Sequence, residues 1–409
     1  MTEQSQAQFH NPGAARFVIA SGVVAALHVG KLPPALPVLE RVLGISLVQA
    51  GFLLSLVQVA GMSLGLLTGL AVQRIGLRRS MLAGLALLGC ASALGGLAQG
   101  ATWLLAMRAL EGLGFLWAVL PGPGLLRRLV PHERVNRTMG VWGTYMPLGA
   151  SLGLLLGPWV MQLAAPDTGW RIWWWLLSAL TVLLALLVAW KLPADASVRV
   201  AAGAGLVSSN RKLLGATLRS RPVWLMALTF GAYSGQWLAV VGFLPSIYAQ
   251  AGLAGGSVAW LTALAAAVNM VGNVAAGRLL GRGFTPPVLL ATGFVSMAGG
   301  AMLAFGAVGH PWLQYAGVLV FSAVGGLIPG TLFGLAIRLA PGADTVSTTV
   351  GWMQQWSALG QFAGPPLVAL IAVRAGGWQL TGWVSAACAC VGLLLAWRIN
   401  AVLTRPPLT

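Results

Sequence analysis

The chain has 409 residues, 58% of them hydrophobic and 8% charged, and a net charge of +17 from 24 Lys and Arg against 7 Asp and Glu. A soluble domain carries about 25% charged residues, so this composition excludes one, and with it the nucleic-acid partner that such basicity would otherwise suggest. The cysteines (Cys90, Cys388, Cys390) sit inside apolar runs and the four histidines are scattered, so neither a disulfide framework nor a metal site is expected, and no cofactor.

The opening stretch, MTEQSQAQFHNPGAARF, is polar, and no small-residue cleavage site follows the apolar run after it; it reads as a retained cytoplasmic tail. Twelve apolar runs follow, at about 17–39, 47–71, 80–99, 102–126, 138–163, 171–192, 223–248, 257–280, 287–308, 312–338, 346–371 and 378–398. At about 1.5 Å per residue each is long enough to cross a hydrocarbon core of roughly 30 Å. An even number of crossings puts both termini on one side, and the basic residues choose that side. Nineteen Lys and Arg fall on the side of the tail, three (Arg41, Arg171, Arg374) on the other, and Lys31 and Arg108 lie within the spans. The expectation is a multi-pass monomer of the plasma (inner) membrane, embedded in lipid, with both termini cytoplasmic.

Within the first run, HVGKLPPALPVL, the prolines Pro33, Pro34 and Pro37 break the helix near its outer end, a feature tolerated at membrane depth where it lines a cavity. Lys31 lies about 21 Å from the cytoplasmic face, and His28 one turn below it on a similar face. A histidine there serves first as an interhelical donor; it is kept as a substrate candidate beside Lys31. The fourth run carries Arg108 and Glu111, three residues apart and so on one helix face. Charge at that depth costs about 2.5–3.5 kcal/mol on insertion scales and marks a pathway more often than a bridge between helices. Running the other way through the membrane, Arg108 and Glu111 fall in the layer of Lys31. Glu111 is the one acid at midplane depth, because Glu3, Glu40, Glu133, Asp167, Asp195 and Asp344 lie in or beside connections.

In the fifth run Tyr145 precedes a glycine ladder, Gly149, Gly153 and Gly157, which reads first as close helix packing. The connection over 193–222, Ala/Gly/Ser-rich and then basic, reads as a cytoplasmic linker with a short surface helix. It separates an amino-terminal six-helix half (1–192) from a carboxy-terminal one (223–409). The halves repeat: at an offset of 208, Pro37 meets Pro245, Gly69 meets Gly277 and Arg74 meets Arg282, and at 207 the Gly153–Pro158 motif meets Gly360–Pro365. Even-to-even matching makes this a parallel repeat, which places a substrate site near the midplane between halves. Arg108 and Glu111 map onto Ala316 and Leu319, so the second half carries no charge there. Its candidates are amphipathic: Tyr233 and Gln236 on the seventh run and Gln355 on the eleventh, beside the asparagines Asn269 and Asn273 and the aromatic stripe of Trp352 and Trp356.

These features resemble one family. GLAVQRIGLRR (Gly69 to Arg79) is similar to the loop motif G-x-L-A-D-R-x-G-R-[RK] of the major facilitator superfamily, and Arg108-Ala-Leu-Glu111-Gly112-Leu-Gly114 to its fourth-helix motif R-x-x-Q-G-x-G. Gly149 to Pro158 is similar to the fifth-helix motif of its proton antiporters. The first and seventh runs look most like the cyanate/nitroimidazole porter branch, with Gly30-Lys31-Leu32-Pro33 where that branch shows N-L-R-P. The resemblance implies an all-α membrane fold of twelve helices in two six-helix halves, a cavity lined by helices one and four, and a conformational role for Gly69, Arg74, Gly76 and Arg78. Two departures stand out. Gln73 replaces the loop motif's acid, leaving Arg74, Arg78 and Arg79 to pair with helix ends or lipid phosphate, and Glu111 replaces a neutral glutamine.

The function expected is secondary active transport of a small solute, anionic or carboxylate-bearing, by proton-linked alternating access. Glu111 would be the proton-coupling group, and Lys31, Arg108, His28, Tyr145, Tyr233, Gln236 and Gln355 the substrate-binding set. The alternative is a proton-coupled drug or metabolite efflux antiporter. An enzyme is disfavoured, since the spans hold neither paired acids nor a Ser/His/Asp set, and HVGKL lacks the glycine and hydroxyl spacing of a phosphate loop. A channel is disfavoured by the single-chain parallel repeat.

Overall fold

The computed structural model describes residues 12–131, 134, 138–139, 141–195, 205–250, 256–342 and 345–404. The amino-terminal tail to residue 11 and linker residues 196–204 lie outside the described residues. Among the described residues every regular element is a helix. Eleven are long and apolar enough to cross a membrane: Gly13–Leu43, Leu47–Thr68, Leu77–Gly95, Ala101–Leu129, Gly169–Lys191, Arg221–Tyr248, Ser257–Gly281, Pro286–Gly306, Pro311–Leu339, Thr348–Ala375 and Thr381–Leu403. The shorter apolar helix Tyr145–Met161 stands fifth in chain order, completing the twelve expected spans. It starts later than the apolar run that begins near 138. Both the amide and the hydroxyl of Thr144 bond the Val141 carbonyl (3.1 and 2.7 Å), so a side chain competes with the helical ladder there. A further helix, Gly205–Arg219, precedes the seventh span and bonds Thr217 to Thr348 at 2.6 Å.

Packing follows the repeat. Span one lies on five as seven lies on eleven, and span three on four and six as nine lies on ten and twelve. The glycine ladders permit this closeness: a Cβ on Gly153 would stand 2.6 Å from the Gly30 backbone, and one on Gly364 2.3 Å from the Gly235 carbonyl. Small residues at helix crossings let backbones approach in this way. Between the halves, span two packs along span eleven, and span five along the first segment of span eight.

Several spans are interrupted. The first α-helix ends at Gly30, passes through a 3-10 turn at Pro33–Ala35 and resumes at Leu36. The cause is local, because Pro33 and Pro34 have no amide hydrogen to donate. In span two a 3-10 segment, Leu56–Gln58, separates Leu47–Ser55 from Val59–Ile75. Each break leaves carbonyls without helical partners at mid-depth, and these position the site.

Candidate functional site

Arg108 sits where both breaks leave acceptors. Its Nε donates to the Leu53 carbonyl at 3.1 Å and its Nη1 to the His28 carbonyl, among the last carbonyls of two interrupted helices. A cation at a helix C-terminus is favoured by the local dipole as well. Nη1 also donates to Glu111 Oε2 at 2.6 Å, the expected pair one turn apart. The other carboxylate oxygen of Glu111 accepts from Lys31 Nζ, so a single acid bridges two cations.

Lys31 uses all three ammonium hydrogens. Besides Glu111 it donates to Ser92 Oγ at 2.9 Å and to His28 Nδ1 at 3.3 Å, and its Nζ stands 4.5 Å from the centre of the Trp174 ring. Ser92 passes its own hydrogen to the Trp174 carbonyl at 3.0 Å. Thr181 donates to the Leu177 carbonyl at 2.7 Å, so it accepts from His28 Nε2 at 2.8 Å, and the lone pair on Nδ1 then faces Lys31. That network assigns a neutral histidine, consistent with its role as an interhelical donor. The formal charge of the cluster is one positive. Lys31, His28, Arg108 and Glu111 are each at most 1% exposed. One polar atom is left over: Arg108 Nη2 is buried without a partner.

The depth expectation therefore holds, since Lys31, Arg108, Glu111 and His28 meet. Their surroundings differ from the expected cavity wall. Partners come from spans one, two, three, four and six, so the cluster is enclosed within the amino-terminal half. Depth along a helix does not specify which way a side chain points around it.

The open space lies beside the cluster, between the halves. A narrow cleft is lined by Gln58 and Gly61 of span two, Phe115, Leu116, Val119 and Leu120 of span four, Tyr145 and Met146 of span five, and Gln354, Ser357, Ala358 and Gln361 of span eleven. No charged side chain lines it. Gln58 Nε2 donates across the halves to Gln361 Oε1 at 3.0 Å, and Gln361 in turn donates to Ser357 Oγ at 3.2 Å. Gln354 stands within hydrogen-bonding reach of the Tyr145 hydroxyl, whose ring packs 4.8 Å from that of Trp142. Of the sequence candidates, Tyr145 alone lines this cleft. Gln58 was missed because a lone glutamine in an apolar run gives no spacing signal, and Gln354 and Gln361 because the stripe of Trp352, Gln355 and Trp356 pointed to the neighbouring face of the same helix.

The other candidates lie elsewhere. Tyr233 exchanges hydrogen bonds with Asn269 (3.0 and 3.2 Å), Asn269 donates to the Ser322 carbonyl at 2.7 Å, and Trp237 donates to Ser322 Oγ at 3.2 Å. This is an uncharged counterpart of the cluster inside the second half. Gln236 donates to the Ala232 carbonyl at 3.0 Å and leaves its own oxygen buried without a partner. Gln355 accepts from the Leu66 amide at 3.0 Å, tying span eleven to span two.

The loop motif has an acid after all. Asp195, beyond the end of span six, accepts from the Arg78 and Arg79 amides (3.1 and 2.9 Å) at the start of span three. Gly76 has φ +103°, and a Cβ there would stand 2.3 Å from Asp195 Oδ2. The Arg78 guanidinium bonds the Ala189 carbonyl near the C-terminus of span six, the helix-end pairing anticipated for it. Gly69 and Arg74 lie on helical backbone, and the Arg74 side chain lies outside the described part of the structure.

Similarity to known proteins agrees with this architecture. The sequence profile of the Major Facilitator Superfamily matches residues 18–365. The chain is 27% identical over 225 residues to the cyanate transport protein CynX of Escherichia coli, covering 54% of each chain. It is 29% identical over 160 residues to the multidrug transporter mfsC of Aspergillus fumigatus, covering 39% of this chain and 30% of that one. It is 33% identical over 181 residues to the puromycin resistance protein pur8 of Streptomyces alboniger, 44% of this chain and 35% of that one. The matched stretches thus span about a third to a half of these relatives. The crystal structure of the transporter FucP in the outward conformation superposes with a TM-score of 0.67 at 16% identity, covering 94% of this chain and 98% of that one. With the profile running over most of its length, the chain belongs to the Major Facilitator Superfamily.

Proposed function

We propose that the protein is a secondary transporter that moves a small solute by rocking its two halves about the cleft, with Glu111 as the proton-linked group. One observation carries this reading: the acid at midplane depth is shared between two cations on different spans. If the transport cycle also shifts span one against span four within the first half, Glu111 loses a partner and becomes a charge that the hydrocarbon interior tolerates poorly; a proton then neutralises it. Orientation from the basic residues puts the cleft in the cytoplasmic half of the bundle, because Tyr145 and Gln354 lie near the tail-side ends of their spans. The cluster's formal excess of one positive charge favours an anionic or carboxylate-bearing solute, and the name of the Escherichia coli relative points the same way.

A second reading, proton-coupled efflux of a neutral amphipathic drug or metabolite, is favoured by the lining itself: amides, one phenol and apolar side chains, with no cation. Two relatives are named for multidrug transport and puromycin resistance. Thermal unfolding of purified protein against small carboxylates, cyanate and neutral amphipathic drugs separates the two. A ligand at 100 times its dissociation constant adds about 2.7 kcal/mol of stability. Stabilisation by anions supports the first reading, by neutral drugs alone the second. Stabilisation by neither, with no solute counterflow in proteoliposomes, contradicts both.

A further inference from the structure

Cluster and cleft are separate compartments, and the wall between them is one helical turn thick. Glu111 and Phe115 are four residues apart on the continuous helix Ala101–Val119, which puts them one above the other on the same face. Glu111 is sealed at 1% exposure, while Phe115 borders the cleft. Across from them, Val57 packs on span four and its neighbour Gln58 lines the cleft.

The helix carrying this wall has no room to shift locally. A Cβ on Gly112 would stand 2.3 Å from the Val57 carbonyl oxygen, and one on Gly114 2.6 Å from the Leu88 amide nitrogen. Span four is therefore held at backbone contact on two sides, by spans two and three. Between those two glycines on the helix surface lies Phe115, 8% exposed and bordering the cleft. Glu111 is faced by Lys31 and His28 of span one and Arg108 of its own span. Spans two, three and six contribute the Leu53 carbonyl, the Ser92 hydroxyl, the Trp174 ring and the Thr181 hydroxyl, none of which titrates near neutral pH.

We propose that Phe115 is the gate between the two compartments: its ring excludes cleft water from the Lys31–Glu111–Arg108 cluster, and its displacement admits the proton that Glu111 takes up. The proton role rests on the proposed function; the gate itself does not. Access can be read without transport. In a chain with Cys90, Cys388 and Cys390 replaced by Ser, Ser92→Cys places a thiol beside Lys31, and methyl methanethiosulfonate reports its accessibility. Labelling is expected to be slow with Phe115 in place, at least tenfold faster with Phe115→Ala, and intermediate with Phe115→Leu, which keeps an apolar side chain should the alanine variant fold poorly. Equal rates in all three overturn the gate. In proteoliposomes of the unmodified chain, Phe115→Ala is expected to raise solute-free proton leak about tenfold, and adding Glu111→Gln to abolish that leak. Faster labelling with no leak keeps the gate and removes Glu111 from proton coupling.

Discussion

Arg108 shows how an intramembrane charge is held. Two helices broken by prolines and a 3-10 turn leave carbonyls that accept from a third helix's guanidinium, and the carboxylate one turn away balances its charge. Removing one member of such a buried pair costs about 3–5 kcal/mol, because the partner's charge stays behind. Arg108→Leu is therefore expected to lower the thermal midpoint substantially. Read as an isolated pair, Arg108 and Glu111 could be replaced together without loss; as a triad they could not. Arg108→Leu with Glu111→Gln leaves the Lys31 ammonium without a countercharge, so most of the lost stability should return only when Lys31→Met is added. Thermal unfolding in detergent checks this, and full recovery by the double variant would remove Lys31 from the cluster's balance. The meeting of these residues was legible from the sequence, because depth follows from counting along helices. Their enclosure was not, since counting places residues on a helix face without saying what that face meets.

At the scale of the element, the start of span three is the clearest case of a part that sequence reading missed. The loop motif lacks its acid at Gln73, yet Asp195 supplies a carboxylate to the same helix start from more than a hundred residues away. The first acid after span six was visible, but nothing local tied it to Gly76. An N-terminal cap contributes about 1 kcal/mol. Asp195→Ala should cost about that much, and Asp195→Asn, which still accepts hydrogen bonds, only a few tenths. Gly76→Ala should cost more, about 1–3 kcal/mol, as it meets both a positive φ and the Asp195 carboxylate. The measurement is chemical or thermal unfolding of the three variants. A loss with Asp195→Asn equal to that with alanine would show that charge, rather than hydrogen bonding, dominates.

For the whole molecule, hydropathy and the internal repeat disclosed the architecture, because backbone polar groups in hydrocarbon must be satisfied inside the protein, and long apolar helices do this within themselves. Equivalent helix pairs and equivalent glycine ladders in the two halves bear out the parallel repeat. The repeat diverges in chemistry: a charged core in the first half stands against Tyr233, Asn269 and Ser322 in the second. The orientation we propose from basic-residue asymmetry predicts that reporter fusions after residue 205 and at the C-terminus both read cytoplasmic, with one near Asp167 reading external. An external signal at residue 205 would reverse the orientation and with it the side on which the cleft opens.

Glu111→Gln tests the central claim most directly, since it keeps the side chain's shape and one acceptor oxygen while holding the group neutral. Solute uptake into proteoliposomes is followed with an imposed pH step and, in parallel, as counterflow without one. The variant is expected to lose accumulation driven by the pH gradient and to keep counterflow. Gradient-driven accumulation equal to that of the unmodified protein would contradict proton coupling through Glu111 and leave it a packing partner of Lys31 and Arg108.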